Sequence, residues 1–305
     1  MNIYSTLSVP CQEPCVIALG CFDGIHLGHV AVISEALRVA NEKALPLSVW
    51  SFREPPRNFF TKEKVPVLTT PDEKAELIKV LGCTNLFCIS FDEAIASMSA
   101  EDFFALLCDK LGARHIVCGF NFTFGAHGSG NTELLASLCQ ERGIGLSVLP
   151  PATQDGEPIS SSRIRAYLLE GNAAKAASLL GRPYTLESSV EQGKHLARDF
   201  GFPTANQAFP DGKAVPRYGV YVISGWVDGK AYQGIANVGM RPTVKSSLLC
   251  CESHLFDFSG DLYGKTLKID FLDFLRPEQT FESVDALFAQ IKKDIEKAQA
   301  YNKKD

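Results

Sequence analysis

Two histidines and several glycines stand within ten residues near the start of the chain, in the sequence GCFDGIHLGH at positions 20–29. We call this segment the histidine loop. It lies between an apolar run at positions 15–19 and a helical pattern, and the N–H groups that open a helix bind phosphate well. His26 and His29 are three residues apart and can face one anion while charge develops on phosphorus. The histidine loop therefore predicts a phosphate cradle. The glycines that would let a ligand approach the backbone are Gly20, Gly24 and Gly28.

A second cluster of anion-binding side chains, SSSRIR at positions 160–165, follows the last predicted strand of the first half. We call it the serine–arginine segment. Hydroxyl groups at a helix start and nearby guanidinium groups supply donors for phosphate oxygens, although an ordinary helix cap with surface arginines is the alternative. Paired with the histidine loop, the segment would bind a leaving pyrophosphate while the loop holds an α-phosphate, as adenylyl transfer requires. Its candidate residues are Ser160, Ser161, Ser162, Arg163 and Arg165.

An asparagine among aromatic residues follows the fourth predicted strand, in the sequence GFNFTFG at positions 119–125. The rings are either core residues or a flat wall for a ring system. Asn121 can pair with a donor and an acceptor on a base or a flavin. Asn121 is therefore a candidate flavin-binding residue.

These three segments and their order carry a family resemblance. The histidine loop resembles the HxGH signature of nucleotidylyltransferases and, with Phe22, Asp23 and Gly24, the FAD synthetase branch in particular. Together the segments are similar to the N-terminal domain of the bacterial bifunctional riboflavin kinase/FAD synthetase family. The resemblance implies that Phe22 and Asp23 join the glycines at the nucleotide. It also implies that His26 and His29 stabilise the α-phosphoryl transition state.

Five short motifs in the second half of the chain resemble those of riboflavin kinase. They are GFPTAN at 201–206, GMRPT at 239–243, ESHL at 252–255, DLYG at 261–264 and LRPE at 275–278. Each motif alone is weak, but five in order across one small domain extend the resemblance to nearly the whole chain. The resemblance implies ATP and riboflavin as the substrates of this half.

A kinase of a primary alcohol needs oxygen ligands for Mg²⁺, donors for the phosphates and a carboxylate near the hydroxyl group. Thr204 and Asn206 have hard oxygen atoms and, two residues apart in an extended segment, project to one side. Glu252 is the base that the resemblance implies, whereas an isolated glutamate on a strand is more often a solvated residue. The remaining candidates are Gly193 and Lys194 for the phosphates, and Arg241 and Arg276 for flavin or nucleotide.

The elements that must position these residues alternate between strand and helix in the first half of the chain. This alternation predicts an α/β domain with a Rossmann-like parallel sheet, whose ligands bind beyond the carboxyl ends of the strands. In the second half, short strands and a hairpin signal at Asp228 and Gly229 predict a small antiparallel β-barrel with a terminal helix. We place the first domain at residues 1–182 and the second at residues 183–305. The strands predicted in the first domain are 15–20, 45–52, 85–90, 114–119 and 145–149.

Composition limits the partners. The 305-residue chain has a net charge of −5 and no run of lysines or arginines, which argues against nucleic-acid or membrane binding. The first ten residues lack the regions of a signal peptide, and no apolar stretch approaches membrane-spanning length, so we expect a cytoplasmic protein. Ten cysteines occur without a C-x-x-C pair, so we expect reduced thiols and no metal on sulfur. We expect small-molecule partners and a monomer or weak homo-oligomer.

The sequence as a whole predicts a bifunctional enzyme that uses ATP and Mg²⁺ to convert riboflavin to FMN and a second ATP to convert FMN to FAD. Two alternatives stay open. Residues 51–57 read SFREPPR where the family usually has a TFxPHP type sequence, so one alternative is a riboflavin kinase with a weak or inactive adenylyltransferase domain that senses nucleotide or flavin. The other is a nucleotidylyltransferase for a different phosphorylated acceptor.

Overall fold

Residues 1–7, 13–191, 203–242 and 247–301 are described by the computed structural model of the chain, with only the backbone described at 241–242 and 247–248. The chain divides into two compact units, Met1–Ser161 and Ser162–Asp305. The domain boundary after residue 182 stays a prediction. In the described residues, no helix is both long enough and apolar enough to cross a bilayer.

A parallel sheet of six strands forms the centre of the first unit. Its strands are β1 (Asn2–Tyr4), β2 (Cys15–Leu19), β3 (Leu47–Phe52), β4 (Asn85–Ile89), β5 (Ala113–Gly119) and β6 (Gly145–Leu149). They pair in parallel in the order β1-β4-β3-β2-β5-β6, which confirms the predicted Rossmann-like arrangement. Strand β1 was not predicted, because three residues are too few to show an alternating pattern.

Helices cover both faces of this sheet, which is why β2 is apolar at every position. Cys15, Ile17 and Leu19 of β2 pack into one core, and Val16 and Ala18 pack into the other. The helices are α1 (Leu27–Lys43), α2 (Arg57–Phe60), α3 (Pro71–Val80), α4 (Glu93–Ala96), α5 (Ala100–Ala105) and α6 (Thr132–Arg142). A short hairpin, β7 (Thr153–Gln154) and β8 (Glu157–Pro158), follows β6.

Two helix ends illustrate how far the local sequence decides the structure. The sequence TPDE at positions 70–73 predicts a capping box at the start of α3. The structure confirms it, since the Thr70 hydroxyl accepts from the N–H of Glu73 and the Glu73 carboxylate accepts from the N–H of Thr70. Ser99 as a cap and Gly112 as a stop predict a single helix through Leu111, but it is α-helical only as far as Ala105. A π-helical turn, Leu106–Lys110, continues it.

The switch point of the sheet lies between β2 and β5. The chain builds β3 and β4 on one side of β2, and β5 and β6 on the other, so the loops after β2 and β5 leave the same edge in opposite directions. Leu19 of β2 stands beside Cys118 of β5 in register. The histidine loop and the loop of residues 119–125 therefore begin next to each other, at the edge where ligands bind in such sheets.

A closed six-stranded barrel forms the second unit, as predicted. Helices α7 (Ser161–Glu170) and α8 (Ala173–Leu180) precede it in the chain. Its strands are β9 (Tyr184–Glu191), β10 (Ala205–Ala208), β11 (Gly219–Val227), β12 (Lys230–Pro242), β13 (Ser247–Leu255) and β14 (Thr266–Arg276). They pair antiparallel in the order β10-β13-β12-β11-β14-β9, and β9 closes on β10. The sequence did not predict β9 and β10 as strands.

The hairpin and the terminal helix of this unit agree with the sequence. Asp228 and Gly229 both have positive φ, 50° and 78°, as a type I′ turn between β11 and β12 requires. The last helix, α9 (Val284–Tyr301), packs Ile291, Ile295 and Ala298 against a core patch that includes Val220 and Val222 of β11. The helical spacing of apolar residues predicts an apolar face at Val284, Leu287, Phe288, Ile291 and Ile295, and Ile291 and Ile295 of this face meet the barrel.

Candidate active sites

The backbone of the histidine loop is strained. Phe22 and Ile25 have φ of 49° and 41°, in the left-handed region that costs non-glycine residues about 1–2 kcal/mol each. Gly24, with φ 86°, adopts it without that cost. A Cβ atom on Gly20 would lie 2.9 Å from the ring of Phe22, so the ring packs directly on the glycine backbone. Contacts outside the loop must hold such a conformation.

Asp23 provides several of these contacts, because its carboxylate is buried and points back into the protein. Its Oδ1 accepts hydrogen bonds from the backbone N–H groups of Leu68 (2.8 Å) and Thr69 (3.3 Å). The Thr69 hydroxyl accepts from the N–H of Gly24 (3.1 Å), and the Ser161 hydroxyl donates to the Asp23 carbonyl (2.8 Å). Asp23 therefore shapes the histidine loop. The Gly24 N–H, a predicted phosphate donor, bonds to Thr69 in this structure.

The two histidine rings stack on each other at the start of α1. Their centroids are 3.5 Å apart with an angle of 17° between the planes. His26 is the N-cap residue, and its Nδ1 accepts from the backbone N–H of His29 at 3.2 Å. Because Nδ1 accepts, a neutral His26 carries its proton on Nε2 and can donate from that atom. A Cβ atom on Gly28 would lie 3.1 Å from the His26 ring, so Gly28 leaves the space that this ring occupies.

His29 is held in its neutral form. Burial lowers its pKa well below the ordinary value, and the charges of His26 and Lys74 lower it further. Its Nδ1 is buried and has no hydrogen-bond partner within the described part of the chain, and the ring of Phe22 meets it edge-on at 5.3 Å. A phosphoryl group at this pair would therefore meet a hydrogen-bond donor rather than a fixed positive charge.

Further donors stand at the first turn of α1. Leu27 and Gly28 open the helix, so their N–H groups have no carbonyl one turn earlier within it. These groups and the helix dipole favour an anion at this place. The predicted phosphate cradle therefore corresponds to a helix N-terminus that also carries the stacked histidines.

Aromatic residues after β5 divide between core and surface. Phe122 and Phe124 pack against the core of the first unit, whereas Phe120 is about half exposed. Asn121 is exposed in the same loop, next to the start of the histidine loop along the sheet edge. The core interpretation therefore holds for two of the three rings, and the flavin contact of Asn121 stays a prediction.

A second aromatic group, which the sequence did not bring to attention, lies beyond the carboxyl ends of β3 and β4. Phe59 and Phe60 of α2 lie edge-on to each other at 5.2 Å, and each is 5.7 Å from the ring of Phe91. Phe91 also meets Phe52 at 5.4 Å. Phe59 and Phe60 are 43% and 60% exposed, so a large part of each ring faces solvent. Two consecutive phenylalanines a few residues after a predicted strand were the available signal.

The serine–arginine segment forms the start of α7 as predicted, with Ser161 as its first residue. The guanidinium group of Arg163 lies over the ring of Tyr167, 5.7 Å from its centroid. The phosphate-binding roles of this segment stay predictions for all five candidates, Ser160, Ser161, Ser162, Arg163 and Arg165.

A pocket of about 800 Å³ opens in the second unit. Thr204 and Asn206 line it together, and Asn206 is buried while Thr204 is partly exposed. His254 Nδ1 lies 2.9 Å from the carbonyl of Pro203 and so ties this segment to β13. The lining residues are Val190, Pro203, Thr204, Ala205, Asn206, Ser253, Leu255, Phe258, Ser259, Gly260, Asp261, Leu262 and Tyr263.

Glu252 stands in register with two asparagines. It pairs with Asn206 across β10 and β13 and with Asn237 across β12 and β13. Directly opposed residues of antiparallel strands project to one face, so all three side chains share the face to which Asn206 projects. Sequence reasoning missed Asn237, which lies 15 residues before Glu252 and carries no motif of its own. Glu252 is not one of the residues that line the pocket.

Of the remaining candidate residues for the kinase site, the structure describes only the side chain of Arg276. The Arg276 guanidinium donates to Asp294 of α9, with Nη2 at 2.8 Å and Nε at 2.9 Å from the carboxylate. That carboxylate is almost fully buried, so the pair joins the end of β14 to the terminal helix. Gly193 and Lys194 lie outside the described residues, and so does the side chain of Arg241. Their roles, and a flavin contact of Arg276, stay predictions.

The described ranges contain no group of three or more histidine, cysteine, aspartate or glutamate residues that could hold a metal ion. Nine cysteines in these ranges are free thiols, most of them buried.

Two family models match the chain. That of FAD synthetase matches residues 8–163, and that of riboflavin kinase matches residues 180–302. The two matches correspond to the two predicted halves and their order.

Curated relatives are similar over nearly the full length. A bifunctional riboflavin kinase/FMN adenylyltransferase of Bacillus subtilis is 35% identical over 295 residues, which cover 95% of this chain and 93% of the relative. The protein of the same name from Escherichia coli is 36% identical over 291 residues, or 94% and 93% of the two chains. A solved structure of a protein from Streptococcus pneumoniae described as a macrolide-efflux protein has a TM-score of 0.89 at 31% identity and covers 97% of this chain and 98% of its own. That description differs from the names of both family models and of the curated relatives.

Proposed function

The chain belongs to the family of bifunctional riboflavin kinases/FMN adenylyltransferases, and from that membership we propose which residues carry out each of its two reactions. The kinase reaction transfers the γ-phosphoryl group of ATP to riboflavin and gives FMN and ADP. The adenylyltransferase reaction transfers AMP from ATP to FMN and gives FAD and pyrophosphate. Both are transfers of a phosphorus group between small molecules.

We assign adenylyl transfer to the histidine loop. An oxygen of the FMN phosphate forms a bond to the α-phosphorus of ATP, and the bond from that phosphorus to the bridging oxygen of the pyrophosphate breaks. The electron pair leaves with pyrophosphate. Positioned donors stabilise the charge that develops on the α-phosphoryl oxygens, and His26 Nε2, His29 and the first N–H groups of α1 are such donors. No covalent enzyme intermediate is needed, because the FMN phosphate is itself the nucleophile.

The same carboxyl edge offers a place for the flavin ring. The exposed rings of Phe59 and Phe60, with Phe91, form an apolar surface of the kind on which a flat ring system packs. Asn121 would add a hydrogen bond to the edge of the ring. The serine–arginine segment would receive the departing pyrophosphate.

We assign the kinase reaction to the pocket of the second unit and to the strand face beside it, where Glu252 stands opposite Asn206. Glu252 would accept the proton of the terminal ribityl hydroxyl as its oxygen attacks the γ-phosphorus, and ADP leaves with the electron pair of the broken bond. Thr204 and Asn206 supply oxygens of the hardness that Mg²⁺ prefers, and they would hold the metal-bound nucleotide. When bound, Mg²⁺ would neutralise charge on the phosphates.

One observation carries the assignment of the first site: the two histidine rings stack at the N-terminus of the helix that follows the central strand. The test uses the full chain with riboflavin, ATP and Mg²⁺, and resolves FMN and FAD over time. His29→Ala is expected to abolish FAD formation and to leave FMN formation unchanged. Glu252→Ala is expected to abolish FMN formation from riboflavin and to leave FAD formation from added FMN unchanged. Equal loss of both activities in either variant would contradict separate sites.

The bifunctional assignment is favoured over a sensor domain because the bifunctional relatives match across both units. The unusual loop of residues 51–57 contains the buried Pro55 and leads into α2, which carries the exposed phenylalanines. Incubation with FMN, ATP and Mg²⁺ that yields no FAD would favour the sensor instead. The cytoplasmic location, the lack of nucleic-acid partners and a monomeric or weakly oligomeric state stay predictions.

A further inference from the structure

Lys74 is buried at a position where a positive charge destabilises the folded protein. It exposes only 1% of its surface and is the fourth residue of α3, in the first turn of that helix. The positive end of a helix dipole repels an ammonium group, and burial of a charge is unfavourable unless hydrogen bonds satisfy it. Neither helix stability nor packing explains a positive charge at this position.

Within the described residues, the Lys74 ammonium donates three hydrogen bonds, all at the edge of the sheet where the histidine loop begins. Nζ donates to the carbonyl of Cys21 (3.0 Å), to the hydroxyl of Ser51 (3.3 Å) and to the carbonyl of Phe52 (2.5 Å). Ser51 donates its own hydroxyl to the same Cys21 carbonyl at 2.8 Å. These three acceptors match the three donors of an ammonium group. Lys74 therefore fixes the Cys21 peptide to the end of β3.

The Cys21 peptide is one residue away from the strained part of the loop. Phe22 follows it with positive φ, and the Phe22 ring contacts both the Gly20 backbone and the ring of His29. A rotation of the Cys21 peptide would therefore displace Phe22, and with it the edge-on contact that borders His29. Asp23 holds the loop from its other side, through Leu68 and Thr69.

We infer that Lys74 is a positioning residue for adenylyl transfer, whose ammonium group fixes the Cys21 carbonyl and thereby the arrangement of Phe22 and the stacked histidines. The inference rests on the assignment of adenylyl transfer to the histidine loop. A purely structural lysine would affect only the stability of the first unit. A positioning lysine sets the geometry of the reacting groups, and its charge also disfavours the protonated form of His29.

The test compares Lys74→Met, which keeps the length of the side chain without charge or donors, with Lys79→Met, which removes an exposed lysine from the same helix. Each full-length variant is assayed for FAD formation from FMN and ATP and for FMN formation from riboflavin, together with thermal unfolding. We expect the kcat for FAD formation to fall about 30-fold or more in Lys74→Met, because small misplacements of reacting groups are this costly. We expect the FMN-forming kcat, and both activities of Lys79→Met, to be unchanged.

The pH profile separates positioning from stability. His29 faces His26, Phe22 and the Lys74 charge, and removal of that charge raises the pKa of His29. The acidic limb of the kcat profile for FAD formation therefore moves to higher pH in Lys74→Met. Lower melting temperature with an unchanged kcat and pH profile would overturn the inference.

Two further variants cover the remaining outcomes. If Lys74→Met does not fold, Ser51→Ala tests the inference in its place, because it removes one acceptor of the Lys74 ammonium and one donor to the Cys21 carbonyl. A fall in the FAD-forming kcat of about threefold or more supports the inference, and an unchanged kcat overturns it. His29→Ala is assayed in parallel. If His29→Ala still forms FAD, the assignment of adenylyl transfer to the histidine loop fails. If His29→Ala loses FAD formation while Lys74→Met keeps full activity, only the role of Lys74 is rejected.

Discussion

Asn206 and Glu252 stand directly opposite each other across β10 and β13, so the amide that lines the pocket of the second unit and the proposed base share one face of the barrel wall. Cross-strand partners have Cβ atoms about 5 Å apart. This pairing gives the proposed metal ligand and the proposed base a common rigid support.

The first prediction concerns Glu252. Glu252→Gln keeps the shape of the side chain but removes its ability to take a proton, so we expect the kcat for FMN formation to fall roughly 100-fold or more. Glu187→Gln, which changes an exposed glutamate on β9, is the matched control and should keep full activity. Product formation from riboflavin and ATP is the measurement. A fall of less than threefold in Glu252→Gln would show that another group takes the proton.

The second prediction concerns the space beside His26. A methyl group at Gly28 would lie 3.1 Å from the His26 ring, so Gly28→Ala should displace the ring and weaken the bond from the His29 N–H. We expect the kcat for FAD formation to fall about tenfold or more, with FMN formation unchanged. Alanine is a better helix former than glycine, so a loss of helix stability would not explain a lower kcat in this variant. Ala31→Ser, an exposed change in α1, is the control, and equal activities of the two variants would contradict the prediction.

The third prediction concerns pH and stability. Burial lowers the pKa of both His29 and His115, so these rings stay neutral in the folded protein. In the unfolded chain they take up protons below about pH 6.5, so the first unit should lose stability as the pH falls from about 7 to about 5. Trp50 is the only tryptophan of the first unit, so its fluorescence in a Trp226→Phe background reports this unfolding. His29→Gln and His115→Gln should each flatten the pH dependence, and an unchanged slope in both would refute the linkage.

The fourth prediction concerns the ion pair of the second unit. Asp294→Asn leaves the Arg276 guanidinium without its charged partner, and loss of one member of a buried pair costs about 3 kcal/mol. The Trp226 signal in a Trp50→Phe background measures the free energy of unfolding of this unit. Glu296→Gln, an exposed change on the same helix, should cost less than about 0.5 kcal/mol. Equal values for the two variants would mean that the pair contributes nothing.

The sequence predicted the features that depend on local patterns. Strands β2 to β6, the cap of α3, the hairpin at Asp228 and the apolar face of α9 each follow from residue types a few positions apart. The histidine loop was found in the same way, because its glycines and histidines lie within ten residues.

Features that depend on distant pairing were not predictable from the sequence. The bonds from Lys74 reach back 53 residues to Cys21, and those from Leu68 reach back 45 residues to Asp23. Nothing near Lys74 in the sequence distinguishes it from a surface lysine, since only the tertiary structure decides which acceptors it meets. The same is true of Asn237, which gains its place beside Glu252 from strand register alone.

Strand β9 decides where the second unit can be separated from the rest of the chain. It pairs with β14 on one side and β10 on the other, so it closes the barrel. A fragment that began after Glu191 would expose two unpaired strand edges, and exposed edges promote aggregation between molecules. A recombinant kinase fragment should therefore include Tyr184 and the residues just before it.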